Sequence, residues 1–600
     1  MSKNSLLITV AAVLLTVPHS FLLAEDATAN PEDFFNNPNE AAPETLKERP
    51  KELNATRGSV SETPGSEETI ITKGIFFTSR ADEIIKDGRK DVVGIQITDL
   101  EVPGGNQGLV KIAEPYLGKS LDKTQAVALK KEIILYYNAQ KRPAVVIDIP
   151  LQYVGDGVLQ ILITEKRMGH FTFKGANWWP DKELAKYIHI KQGDEIDEEV
   201  LKNDFAWMNQ NPFHHSDYKY APSSEPNEVD IEVTTKDRFP IRFFTSGDNT
   251  GNPSTGNDRF SGGLTWGNAF WLDDLLTYQY MTSNFPERYI SHTGNYLCLL
   301  PWQHSLSLFG NYSIVKPKID GYTSRLTANQ ERLRYSIPFK PLYTNFSQSL
   351  TFGFDLKYAN SSLLNLTMGQ VAVEPGIPII HKEQISQLTG NYHVENRTVK
   401  NYWWVDFDGF WSPFHFLPHQ SNAAFSAIRP FSKHTYAYGL LTVGDVVQLP
   451  KKFSLAGLFR YQRATGALPP TELFTIGGYS TVRGYNEDEY DSDNGLIVNV
   501  EFRSPTITPL GYIWKVKDQL TFLGFMDYGI GTLYHSSGLG DFGHQYAWSV
   551  GPGLRYLINP YLSFRCDYGF KLHTMPSMNS VIASYRSGFG KWHLGLMLSY

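Results

Sequence analysis

The chain has 600 residues, of which 14% are aromatic, and a formal net charge of −7 at pH 7. This length accommodates several domains, or one large barrel with accessory domains. The nearly balanced charge gives no electrostatic support for a nucleic-acid partner. Two cysteines, Cys298 and Cys566, exclude a fold held by several disulfides, and because both lie in apolar strand patterns we expect free thiols.

The amino terminus has the pattern of an export signal. Lys3 supplies a positive charge, residues 6–17 are apolar apart from threonine, and Ala24 is a suitable cleavage position. This core of about 12 residues is too short to cross a hydrocarbon layer of roughly 30 Å. We therefore predict a signal peptide at 1–24. Residues 25–68 are rich in Pro, Glu, Asn and Thr, which predicts a disordered linker.

Residues 69–167 predict a first small α+β domain. A helix begins after Asp122, a favourable capping residue. Its apolar face recurs at three- and four-residue steps through Ala126, Leu129, Ile133 and Tyr136. Strands are predicted at 70–77, 92–97, 143–149 and 158–163.

Residues 168–237 predict a second unit of the same kind. Strands are expected at 169–173 and 229–233, and helices at 181–188 and 198–208. Two tandem β-α-α-β-β units indicate a modular arm in the periplasm.

Residues 238–600 show segments that alternate between apolar and polar residues, with no convincing helix. In 350–358, 496–503 and 562–571 one face is apolar and the other carries charges of both signs. A wet lumen and aromatic girdles explain this pattern better than a soluble sandwich, so we predict a transmembrane antiparallel β-barrel of about 16 strands. The stretches 360–400 and 478–495 are predicted to be long external loops.

The last strand of the barrel is predicted at 591–600. One of its faces is apolar and ends on an aromatic residue, being formed by Trp592, Leu594, Leu596, Leu598 and Tyr600. Such a strand can pair with the first strand and close the barrel. A buried terminal strand of a soluble protein is the alternative.

A glycine-flanked turn at 477–485 holds Arg483, and a guanidinium in such a turn needs an acidic partner. This turn and other motifs, in their order along the chain, resemble the TpsB transporters of two-partner secretion, which export haemolysins and filamentous adhesins. The resemblance covers nearly the whole mature chain. It rests on 121–167 and 208–213 for two POTRA domains, 248–251 and 255–256 for the first barrel strands, 477–485 for the sixth external loop, and 525–529 for a downstream strand. The family's acidic-glycine-arginine ending of the first POTRA domain is Glu165-Lys166-Arg167 here.

The resemblance implies which residues matter for transport. The loop motif is Val482, Arg483, Gly484 and Tyr485, and the matching strand motif is Phe525, Asp527 and Gly529. In the family the loop folds back into the lumen, which implies an Arg483–Asp527 pair. Two parallel hydrogen bonds between guanidinium and carboxylate would fix both orientation and distance.

The resemblance also implies function and location. The protein is expected in the Gram-negative outer membrane, with its POTRA domains in the periplasm binding a large unfolded TpsA-like exoprotein that the barrel conducts. Other expected partners are outer-membrane lipid and, during biogenesis, the barrel assembly machinery. A BamA-like assembly factor is the main alternative, and a passive porin is a weaker one.

Chemical sites are not indicated. Residues 113–120 resemble a phosphate-binding loop without its first glycine. His214 and His215 beside Asp217 lack a third ligand at useful spacing. We expect no cofactor, no metal and no enzymatic activity. The barrel charges Asp355, Lys357, Glu501, Arg503, Arg565 and Asp567 are interpreted as ordinary residues of a wet barrel wall.

Overall fold

The computed structural model describes residues 70–318, 322–343, 345–365, 379–511, 517–535, 543–575 and 588–600. The described residues divide into two units, which separate between Phe239 and Pro240. The predicted signal peptide at 1–24 and linker at 25–68 lie outside the described residues.

The first unit begins with a small α+β module whose sheet has the order β2-β1-β4-β3. Its elements are β1 Gly74–Thr78, β2 Gly94–Thr98, α1 Asn106–Ala113, α2 Lys123–Ala139, β3 Val145–Asp148 and β4 Val158–Glu165. The predicted cap is present, since Asp122 accepts a hydrogen bond from the Gln125 amide at 2.9 Å. Tyr137 rather than Tyr136 completes the buried face of α2, and α1 was not predicted.

The second module has the sheet order β5-β7-β6. Its elements are β5 Arg167–Lys174, α3 Asp181–Ala185, α4 Glu198–Met208, β6 His214–Pro222 and β7 Glu228–Asp237. The side chain of Asp197 caps α4 by accepting hydrogen bonds from the amides of Glu199 and Val200. No helix of the described residues has the length and apolar content needed to cross a membrane.

The second unit is a closed barrel of sixteen strands, as predicted, and each strand pairs antiparallel to its neighbours. The strands are β8 Ile241–Asp248, β9 Arg259–Ala269, β10 Asp274–Ser283, β11 Tyr289–Leu299, β12 Ser305–Val315, β13 Tyr322–Pro338, β14 Phe346–Asn365, β15 Ile379–Arg397, β16 Asn401–Ser412, β17 Tyr436–Gln448, β18 Ser454–Ala464, β21 Asn494–Arg503, β22 Asp518–Thr532, β23 His544–Ile558, β24 Leu562–Lys571 and β25 Gly590–Ser599. Two further short strands, β19 Phe474–Ile476 and β20 Tyr490–Ser492, pair with each other between β18 and β21.

The barrel closes where β25 pairs with β8, from Gly595 opposite Asp248 to Ser599 opposite Phe244. Asn249 extends this seam beyond the strand. Its side chain donates to the Trp592 carbonyl at 2.8 Å and accepts from the Leu594 amide at 2.9 Å. The predicted apolar face of β25 points outward, where its side chains are exposed, as a lipid-facing surface requires. Its members are Trp592, Leu594, Leu596, Leu598 and Tyr600.

Two predictions about the barrel connections are wrong. The stretch predicted as a loop at 360–400 belongs largely to β14 and β15. The two strands continue to alternate and to pair beyond the length that is needed to cross a membrane. Residues 366–378 lie outside the described part. The connection between β16 and β17 contains the short helix α5 Asn422–Ile428, which was not expected. The Ser421 side chain caps it by accepting from the Ala424 amide.

Candidate functional site

The connection 465–493 turns into the barrel instead of staying outside it. Barrel connections alternate between the two ends, and this is the sixth at the end where β8 finishes. Val482 and Tyr485 are fully buried, and Arg483 is 3% exposed. The loop therefore lies against the inner wall, as the resemblance implied.

Arg483 and Asp527 form the predicted pair. The guanidinium donates from Nε to Oδ2 at 2.7 Å and from Nη2 to Oδ1 at 2.8 Å, and the Arg483 amide donates to Oδ2 at 3.0 Å. Asn499 of β21 donates to Oδ1 at 2.9 Å. This double contact fixes the plane of the guanidinium as well as its distance from β22.

All three members of the strand motif touch the loop because alternate residues of β22 face inward. Arg483 lies over the Phe525 ring, with its guanidinium carbon 3.5 Å from the ring centre. At Gly529 a β-carbon would come within 2.8 Å of the Val482 side chain. Phe525 thus supports the arginine from one side, and Gly529 leaves room for Val482.

The arginine has two further carboxylates that the sequence did not assign to it. Its Nη1 donates to Glu501 Oε1 at 2.6 Å and to Asp567 Oδ2 at 3.3 Å. The interpretation of Glu501 and Asp567 as ordinary wall charges is therefore wrong. Alternation places both on the inward face, but only the barrel register brings β21 and β24 to the height of Arg483.

Three more arginines complete this cluster. Arg503 donates to Glu501 at 2.8 and 2.9 Å, and Arg555 donates to both oxygens of Asp567 at 2.6 and 3.0 Å. Arg565 donates to Asp567 at 2.9 Å. Each carboxylate is thus bound by arginine, which makes the cluster a structural clamp for the loop. We call Arg483 with Asp527, Glu501 and Asp567 the arginine anchor.

Gly484 brings the loop tip into backbone contact with the wall. Its φ of +92° is a left-handed conformation that favours glycine. A β-carbon there would lie 2.7 Å from the Gly569 carbonyl oxygen. Its amide donates to His593 Nε2 at 2.8 Å, and His593 is fully buried on β25. The tip therefore also contacts the strand that closes the barrel.

Tyr485 buries its ring and uses its hydroxyl at the wall. The hydroxyl accepts from the Trp548 amide at 3.0 Å and contacts the carbonyl oxygens of Trp548 and His573. The ammonium of Lys571 lies 4.7 Å from the ring centre. Tyr485 thus ties the loop to β23 and to the end of β24.

The part of the loop before the 477–485 turn, which we call its first arm, is bound elsewhere on the inner wall through Glu472. Its carboxylate accepts from Lys357 of β14 at 2.5 Å, from Gln387 of β15 at 3.2 Å and from Tyr438 of β17 at 2.7 Å. We call Glu472 with these three residues the glutamate anchor. No motif marked Glu472, because its partners are distant in sequence.

The part of the loop after the 477–485 turn, which we call its second arm, is held by Asp493, the last residue of the loop. This carboxylate receives two hydrogen bonds from Arg429, which follows α5, both at 2.7 Å. It also accepts from the Leu468 and Tyr534 amides at 2.7 and 2.8 Å. The unexpected helix thus leads to a residue that fastens the base of the loop.

Much of the barrel, including its internal loop, matches the profile of a known protein family. The profile of the haemolysin secretion/activation proteins ShlB/FhaC/HecB matches residues 227–362 and 418–556, which includes the 477–485 loop and the 525–529 strand. Over these two segments the chain is similar to this family. The similarity to ShlB/FhaC/HecB-type proteins indicates an outer-membrane transporter that exports a partner protein, with two POTRA domains in the periplasm that precede the barrel in sequence.

Individual relatives agree with this assignment. A heme/hemopexin transporter protein, HuxB of Haemophilus influenzae, is 22% identical over 451 residues, 72% of this chain and 74% of HuxB. The structure of CdiB from Escherichia coli matches with a TM-score of 0.66 at 14% identity, covering 100% of this chain and 99% of CdiB. CdiB from Acinetobacter baumannii gives 0.59 at 16% identity, with 99% of both chains covered.

BamA is a more distant structural relative. A crystal structure of BamA from Haemophilus ducreyi lacking POTRA domains 1-3 has a TM-score of 0.50 at 12% identity, covering 86% of this chain and all of that chain. This likeness concerns the fold alone. The function of an assembly factor, which the sequence left as an alternative, is therefore not supported.

Proposed function

We propose that this transporter exports a large, unfolded exoprotein of the haemolysin or adhesin type, and that the 465–493 loop sets the shape of its channel. The observation that carries the proposal is the buried arginine anchor. Arg483, at 3% exposure, is paired with three carboxylates on β21, β22 and β24. Breaking a buried pair of this kind costs about 3–5 kcal/mol, which is large enough to set a channel in one shape.

In the periplasm, the POTRA domains would bind the cargo by adding it to a sheet edge. Each small sheet has two outer strands, β2 and β3 in the first, β5 and β6 in the second, and no further described strand covers them. An extended chain can pair with such an edge through its backbone, whatever its sequence. The domain limits 69–167 and 168–237 are part of this proposal, and β5 begins at Arg167, one residue before the second limit.

Other contacts follow from the barrel itself. The outward aromatic side chains suit outer-membrane lipid as a partner, with Trp302 and Trp548 at 55% and 42% exposure. The barrel assembly machinery is the proposed partner during insertion. We propose no enzymatic step and no cofactor, and folding of the cargo outside the cell would supply the driving force.

The test begins with the proteins lost from the culture medium when the gene is deleted. The Arg483→Ala variant should lower their secretion by about two to three orders of magnitude, since a cost of about 3–5 kcal/mol applies and about 1.4 kcal/mol corresponds to a factor of ten. The matched control is Arg463→Ala, which removes an exposed arginine from β18. Insertion of the barrel into the membrane is checked by the exposure of the protein at the cell surface and by its heat-modifiable migration in gel electrophoresis. Normal secretion by an inserted Arg483→Ala barrel would contradict the role of the loop.

A further inference from the structure

The strand register shows which residues line the inner wall of the barrel. Residues that pair across strands share a face. One such row runs from Gly263 through Gln279, Thr293 and Asn311. It continues through Gln330 to Lys357, whose ammonium reaches Glu472 of the internal loop. The row therefore faces the lumen.

On β9 to β12 this inward face is uncharged. Apart from Arg259 at the start of β9 and Asp274 at the start of β10, where the pairing with β9 shifts register, the inward positions of these four strands, all fully described, carry no charged side chain. They are mostly hydroxyl and amide residues such as Thr265, Thr277, Thr293 and Asn295. We call the inward-facing residues of β9–β12 the uncharged wall.

The inward face of β13–β15 and β21–β24 is different. It carries charges of both signs, among them Arg334 bound to Asp355 at 2.5 Å and Arg555 bound to Asp567 at 2.6 Å. We call it the charged wall. The arginine anchor is on this wall, and two of the three residues that hold Glu472 are there as well.

The uncharged wall offers hydrogen bonds without charge. Asn311 donates to Ser291 at 3.0 Å and to Thr293 at 2.9 Å, and the hydroxyls of Thr265 and Thr277 are 3.2 Å apart. These cross-strand contacts fix the side chains, while Thr277, Thr293 and Asn311 remain half-buried. A hydroxyl both donates and accepts, so this surface can match the amide and carbonyl of any extended backbone.

Conduction also requires that binding be weak enough to release the moving chain. A charged group in a confined lumen attracts opposite charges strongly, because the effective dielectric is low. Charged cargo side chains would be retained at the charged wall wherever its pairs opened. At the uncharged wall, away from Arg259 and Asp274 at the strand ends, they meet neutral side chains.

We propose that the uncharged wall is the track along which the exported polypeptide moves in extended form, while the loop stays fastened mainly to the charged wall. This rests on the proposed export function and names the surface that serves it.

The experiment places the photo-crosslinking residue p-benzoylphenylalanine at Thr293 of β11 or, as matched control, at Thr389 of β15. Both are inward, half-buried threonines, and Thr389 shares the face of Gln387. The probe is a long unstructured peptide of Gly, Ser and Asn added to the purified transporter. Crosslinking at Thr293 should exceed that at Thr389 severalfold. Equal or stronger crosslinking at Thr389, or none at Thr293, overturns the proposal.

A second measurement uses intact cells and the proteins lost from the medium on gene deletion. Thr293→Lys should reduce their export severalfold while Thr389→Lys leaves it near normal. If Thr389→Lys reduced export more than Thr293→Lys, the proposed track would be wrong, while the export function would stand. If gene deletion removes no protein from the medium, the export function itself fails, so the two outcomes are distinguishable.

Discussion

The arginine anchor and the glutamate anchor hold the same loop in different ways. Arg483 uses a planar guanidinium with two parallel hydrogen bonds to Asp527, while Glu472 is held by the single ammonium of Lys357 and two neutral donors. A guanidinium fixes orientation, whereas an ammonium on a flexible stem fixes mainly distance. The tip of the loop is therefore oriented, and its first arm is only tethered.

The backbone around the two anchors shows the same difference. At the arginine anchor, Gly484 contacts Gly569 backbone to backbone, so the tip fits in one position. Gly466, at the start of the arm that carries Glu472, has open space where a β-carbon would be. Movement of the loop during export should therefore be easier at the first arm than at the tip.

The largest loss of secretion among these variants is expected from a substitution at the tip of the loop. Gly484→Ala places a β-carbon 2.7 Å from the Gly569 carbonyl oxygen and strains a φ of +92°. Strain of this kind costs about 1–3 kcal/mol before the steric clash is added. Secretion should fall nearly as far as in Arg483→Ala. Gly466→Ala is the control, and equal secretion by the two glycine variants would show that the tip does not need its tight fit.

An intermediate effect is expected at the glutamate anchor. Glu472→Gln replaces the carboxylate that binds the Lys357 ammonium with a neutral amide whose oxygen can still accept a hydrogen bond, at a cost of about 1–3 kcal/mol. The loop arm should become more accessible to protease, with a partial loss of secretion. Adding Lys357→Met removes the unpaired charge and should restore barrel stability but not the protection of the arm. If the first arm is fully protected from protease in the double variant, Glu472 does not hold that arm.

The smallest effect concerns the contact with the closing strand. His593→Ala removes the acceptor of the Gly484 amide and should destabilise the barrel by about 1–2 kcal/mol. His593→Gln keeps a side-chain acceptor and should lose less. Thermal unfolding in detergent measures both variants. Identical midpoints for the two would show that the hydrogen bond to Gly484 does not couple the loop to β25.

Local patterns were enough to predict much of this protein. Helix capping by Asp122 depends on a residue three positions away, and the inward or outward face of a strand residue depends on its immediate neighbours. The sixteen-strand barrel and the outward face of β25 follow from such patterns. The Arg483–Asp527 pair came from a family motif, and the structure bears it out.

Other elements could not be predicted because they depend on pairings across the whole barrel. Alternation shows that Glu501 and Asp567 face inward, but their height beside Arg483 depends on the register of several strand pairs. Lys357 and Glu472 are 115 residues apart, and Gly484 and His593 are 109 apart. The amino-acid sequence alone thus determined strands, faces and the motif arginine. Only closure of the barrel decided which distant groups meet around the loop, because closure fixes which strands lie side by side and at what height.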